Sequence, residues 1–175
     1  MKVQDLNQSK ISVLDVAISV GVVAIFIAVA VPLIRGAMLR RQTAECAQKV
    51  LWAADAFDQY AACMGEYPPD GELAGAQFPC AEMIQTFASM NIDWWGEATD
   101  LGGVWDWFRR GDQTGYIAIT KPAVSEASMR RLDCLIDDGD LYSGMFRQYG
   151  YAYCYILTKQ KYACVSTLQG VRATR

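Results

Sequence analysis

Three groups of residues in this 175-residue chain could do chemistry, and no histidine is among them. The first is one carboxylate, Asp15, just upstream of residues 16–34, a run without any charge. A carboxylate inside a membrane helix costs on the order of 2.5–3.5 kcal/mol and calls for a partner. The second is Asp137, Asp138 and Asp140 around Gly139, oxygen donors of the kind a calcium loop uses. The glutamate that closes an EF-hand loop is missing, since Arg147 and Gln148 lie near its place, and a helix-terminating turn is the plainer reading. The third is six cysteines, an even number that admits many pairings. No Cys-x-x-Cys pair occurs, which argues against a zinc ribbon or a thioredoxin-like motif. Disulfides in an oxidising compartment remain, as do buried thiols acting as small apolar residues.

Lack of histidine removes the commonest general base and the Ser-His and Cys-His nucleophile pairs. There is also no Gly-rich phosphate loop, so the chain is not expected to be an enzyme, and no cofactor beyond a calcium ion is considered. A net charge of −3 and a pI near 4.9 give no general attraction to nucleic acid. Arg172 and Arg175 read as a frayed end and not as a nucleic-acid patch.

These residues must be positioned by a small set of elements. A helix rises about 1.5 Å per residue, so roughly 20 apolar residues cross a hydrocarbon core of about 30 Å. Residues 11–34 meet that length. Residues 1–10 are short and polar like the start of a secretory signal, but the apolar run is too long for a signal core and no Ala-x-Ala site follows. An uncleaved anchor with a leader-like segment is the expectation. Gly21, Ala24, Ala28 and Ala30 would let helices approach closely, or would simply face lipid. Beyond Pro32, which should kink the helix, residues 35–64 are rich in helix formers. There Cys46, Val50, Ala53, Phe57, Tyr60 and Met64 form an apolar stripe, with Gln48, Asp55, Asp58 and Gln59 largely off it. Gly65 suits a C-cap and Tyr67-Pro68-Pro69-Asp70-Gly71 a stop. A helix from Ile11 to Cys63 would be about 80 Å long, with Cys46 and Cys63 roughly 25 Å apart and unable to pair.

Residues 65–175 read as one globular domain. A loop over 71–79 leads to a short helix over 80–90. Period-2 alternation puts Trp105 and Trp107 on one strand face and Asp106 on the other. The two indoles are expected to cover Val50, Phe57 and Tyr60. Residues 116–120 form a second strand, and 125–136 a helix with Ser125 as N-cap. Residues 146–157 read as one tyrosine-rich strand, and 162–167 as another, joined by the turn 158–161. Cys154 and Cys164 flank that turn and are the preferred disulfide, with Cys63–Cys80 and Cys80–Cys134 as alternatives. The fold class is therefore α+β: a long N-terminal helix, membrane-spanning in its first half, packed on a small antiparallel sheet.

The segment from Ile11 to Pro32 resembles the N-terminal helix of type IV pilins and type II secretion pseudopilins. Members of that family place an acidic residue fifth in the mature chain and a proline 17 residues later. With Ile11 as first residue, Asp15 is fifth and Pro32 falls in register. Residues 101–107, 116–119, 136–144 and Phe146-Arg147 look like the C-terminal domain of one pseudopilin subgroup, as does Tyr67-Pro68. The resemblance implies a pilin-like fold and a subunit held in the bacterial inner membrane by a single pass. Its expected partners are the lipid bilayer, other pilin or pseudopilin subunits and an inner-membrane assembly platform. Asp15 would then pair with the N-terminal amine of a neighbouring subunit. Alternatively, it sits at the membrane interface and caps the helix start, with Lys10 as local partner.

Two departures matter. The family's leader peptidase cuts after glycine, and Lys10 stands at that position, which counts against processing at Lys10–Ile11 and N-methylation of Ile11. The acidic residue is Asp, one methylene shorter than the family's Glu. Lys2 and Lys10 precede the span while Arg35, Arg40 and Arg41 follow it, so the positive-inside rule alone would leave the globular domain cytoplasmic. The cysteines and the resemblance favour a periplasmic domain. Lys10 also keeps open a second reading, a non-polymerising, single-pass anchored periplasmic domain that binds through its aromatic surface.

Overall fold

The computed structural model describes residues 13–70, 75–111 and 114–158, apart from the side chain of Asp15. The first element, α1, runs Val13–Met64 with Pro32 inside it. Two compact units divide at Arg40 and are taken separately.

In the first unit, every described side chain of residues 13–38 is exposed. In the second, the expected stripe turns inward: Cys46, Val50, Ala53, Phe57 and Tyr60 are buried. Gln48, Asp55 and Gln59 are exposed and Asp58 is half-buried, as their places off the stripe require. Met64 departs from expectation and is 63% exposed. The helix ends there, and Gly65 N–H closes it on the Ala61 carbonyl at 2.9 Å. The chain is then pinned to the sheet. Trp107 Nε1 donates to the Pro69 carbonyl at 3.1 Å and Arg109 Nη1 to the Tyr67 carbonyl at 2.6 Å.

The helix expected over 80–90 is broken into a 3-10 turn, Ala81–Met83, and α2, Ile84–Ser89. It delivers Met83 and Phe87 to the core. Among the described residues the strands are β1 (Val104–Arg110), β2 (Thr114–Thr120), β3 (Phe146–Tyr149) and β4 (Ala152–Leu157), with α3 (Glu126–Ile136) between β2 and β3. All pairings are antiparallel, in the order β1-β2-β4-β3.

The β1 alternation holds: Trp105 and Trp107 are buried on one face, while Asp106 on the other is half-buried. Trp107 stacks on Phe57 of α1, ring centroids 3.8 Å apart and planes at 13°. Phe87 meets Phe57 edge-on at 5.9 Å, and Trp95 stacks on Trp105 at 5.8 Å. Gly115 on β2 lies under the Trp107 indole, and a methyl group there would overlap the ring. The second face carries a smaller cluster of Tyr116, Ala118, Ala152, Cys154 and Ile156, with Phe108 stacked on Tyr116 at 4.6 Å.

One sequence expectation is corrected here. The single strand over 146–157 is a tight hairpin, because Gly150 takes φ +60° and turns the chain between β3 and β4. That hairpin makes β4 an interior strand, with Cys154 opposite Ala118 on one side and Arg147 on the other. Among the described residues both edges of β4 are taken. Cys164 and residues 162–167 themselves lie outside the described residues.

Candidate functional site

Two regions are candidates for a functional role, one in each unit. The first is the exposed, apolar start of α1. Val16, Val20, Phe26, Leu33 and Ile34 are all more than half or about half exposed, Phe26 at 68% and Leu33 at 69%. The helix contains a stretch long and apolar enough to cross a membrane, and none of that stretch is buried by the chain itself. Asp15 lies in the first described turn of α1, and Pro32 is 17 residues further along the same helix. Gly21 has open space where a side chain would be. Lys10 and Ile11 lie outside the described residues, as does the Asp15 side chain.

The second region is the turn that ends α3. Met129, Leu132 and Asp133 are buried along one face of that helix, and Asp137 follows at the i+4 position. Ser125 is the N-cap as expected, but its hydroxyl meets Ser128 Oγ at 3.3 Å and no backbone amide. The chain then folds around its own aspartates. Asp137 Oδ2 accepts from the amides of Met145 and of Phe146, the latter at 3.0 Å. Asp138 Oδ1 accepts from the Asp140 amide at 2.8 Å, and Ser143 Oγ lies 2.9 Å from Asp138 Oδ2 and 3.0 Å from Asp140 Oδ2. Asp140 Oδ1 accepts from the Tyr142 amide at 3.2 Å. Arg147 Nε donates to the Gly144 carbonyl at 2.7 Å. Gly144 has φ +69°, and a side chain there would collide with the Asp137 carboxylate.

The residue that sequence reasoning missed is Asp133. It is fully buried, and the Gly139 amide approaches its carboxylate without reaching full hydrogen-bond geometry. One oxygen each from Asp133, Asp137 and Asp138 lie within 4.8 Å of one another. Asp140, the third residue of the expected set, is not in that cluster. Burial raises the Asp133 carboxyl to about 6, and the charges of Asp138 and Asp137 push the same way, offset in part by the nearby Gly139 amide. The Asp140 amide and Ser143 hydroxyl hold Asp138 below the usual carboxylate range. A signal did exist in the sequence: Asp133 interrupts an apolar helix face, four residues before Asp137.

The five described cysteines, Cys46, Cys63, Cys80, Cys134 and Cys154, are free thiols. The pairings Cys63–Cys80 and Cys80–Cys134 are therefore not formed. Burial pushes Cys46 and Cys154 up to about 12 and Cys80 up to about 11. Such thiols stay protonated at neutral pH and make poor nucleophiles.

Comparison of the chain with protein-family models, with curated proteins and with solved structures finds no match.

Proposed function

We propose that this chain is a membrane-anchored structural subunit that assembles through α1, in the manner of a type II secretion pseudopilus or type IV pilus-like filament. The single observation that carries this reading is the contrast within one helix. From Cys46 onward α1 buries its apolar stripe in a folded domain, whereas from Val13 to Met38 its apolar side chains are uncovered. A contiguous apolar surface of that length is solvated by lipid or by other helices, not by water. The spacing of Asp15 and Pro32 favours the filament over a simple anchor. In this reading the domain lies in the periplasm, attached by one pass to the bacterial inner membrane. The work done is assembly and not catalysis: neighbouring helices bury one another, and Asp15 sets their axial register by pairing with a neighbour's N-terminal amine. Head-to-tail contacts of this type generate open filaments.

Lys10 favours a second reading, an anchored periplasmic domain that does not polymerise. N-terminal mass measurement on the chain purified from membranes separates the two. A chain beginning at N-methylated Ile11 is expected for the filament subunit. A chain retaining residues 1–10 leaves Asp15 without the proposed amine and supports the second reading.

A further inference from the structure

We propose that residues 35–40 of α1 hold the phosphate of an anionic phospholipid, with Arg35 and Arg40 as the two arms of the site and Gly36 as its floor. This site deepens the membrane-anchored reading and rests on it. Residues 16–34 carry no charge, and Arg35 comes next. From Val16 to Arg35 a helix rises about 29 Å, close to the thickness of a hydrocarbon core. Arg40 stands about 7.5 Å further along, at the depth of the headgroups. The helix continues through both residues, so their heights are set by one element.

Both arginines are exposed, and neither forms an ion pair among the described residues. No carboxylate stands three or four residues from either, whereas the next arginine, Arg41, takes Glu45 at 2.7 Å. At 3.6 residues per turn, Arg35 and Arg40 fall about 140° apart around the axis, with Gly36 in the sector between them. Long side chains on a helix lean toward its N-terminus, so Arg40 reaches back over Gly36, four residues earlier. Nothing lies within 4 Å of where a Gly36 side chain would begin. That open floor leaves room for a phosphate between two guanidinium groups, each a planar fork that matches phosphate oxygens. The lean carries both forks toward the membrane end of the helix, which makes the occupant a lipid phosphate and not a free anion. It also gives a role to arginines on a side of the membrane where basic residues are otherwise depleted.

The test reconstitutes the full chain in phosphatidylcholine vesicles containing a minor fraction of phosphatidylglycerol, and reads the lipids at its surface with spin-labelled analogues of each. About fivefold preference for phosphatidylglycerol is expected, weakening as salt is added. Arg35→Gln combined with Arg40→Gln should remove the preference. Gly36→Leu keeps both charges but fills the floor, and should at least halve it. Equal occupancy by the two lipids would overturn the proposal, as would a preference undiminished in both variants. Calorimetry of the chain in micelles with sodium phosphate should be flat; binding of inorganic phosphate as tight as that of the lipid would overturn the lipid assignment. Flotation with vesicles lacking phosphatidylglycerol tests the anchor separately. A chain that floats without any lipid preference refutes this site and leaves the anchor standing, whereas a chain that does not float refutes both.

Discussion

At the scale of single residues, two side chains carry most of what can be measured. Trp107 is 2% exposed, stacked on Phe57 and hydrogen-bonded to the Pro69 carbonyl, so it ties β1 both to α1 and to the segment after it. Replacing it with alanine leaves a cavity and should cost about 3–5 kcal/mol in denaturant unfolding of the full chain in micelles. Gly115→Ala attacks the same contact from the opposite strand, since its methyl group must displace the indole. About 1–3 kcal/mol of destabilisation is expected by the same assay. Asp133 should show itself through pH. Its carboxyl is raised from 3.8 to about 6 in the fold, so the folded state binds more protons than the unfolded state between those values. Stability should therefore fall as pH rises from about 4 to 6, and level off above. Melting temperatures across that range should show the slope in wild type and lose it in Asp133→Asn.

At the scale of elements, the contrast between α1 and the sheet explains what sequence alone could and could not tell. The α1 stripe and the Trp105/Trp107 alternation are local periodicities, and burial follows them except at Met64, where the helix ends. The β3–β4 hairpin escaped because Gly150, alone among tyrosines, looked like a tolerated strand residue. The strand order is set by non-local pairing, which no short window contains. Asp133 was missed for a related reason: a helix pattern registers an aspartate on an apolar face as noise, and only the folded turn brings Asp137 and Asp138 to it. The start of α3 gives its own test. A serine that caps with its side chain is worth about 1 kcal/mol over alanine. Ser125 occupies the cap position but meets only Ser128, so Ser125→Ala should cost less than about 0.5 kcal/mol in unfolding.

At the scale of the whole molecule, α1 divides into a buried part and an uncovered part. Its second half is held in a domain by aromatic stacking, and its first half offers apolar side chains to something outside the chain. The proposed periplasmic orientation has a direct check in the exposed Lys121. An amine reagent that cannot cross the inner membrane should label it in cells whose outer membrane has been opened. Labelling only after inner-membrane lysis would reverse the orientation. The central claim, that the uncovered half of α1 meets other helices, is tested most directly by photo-crosslinking within the membrane. With a benzophenone amino acid in place of Phe26, irradiation of intact membranes is expected to give adducts at twice the chain mass and a ladder above it. Adducts to lipid alone, with the chain remaining monomeric, would contradict assembly through α1.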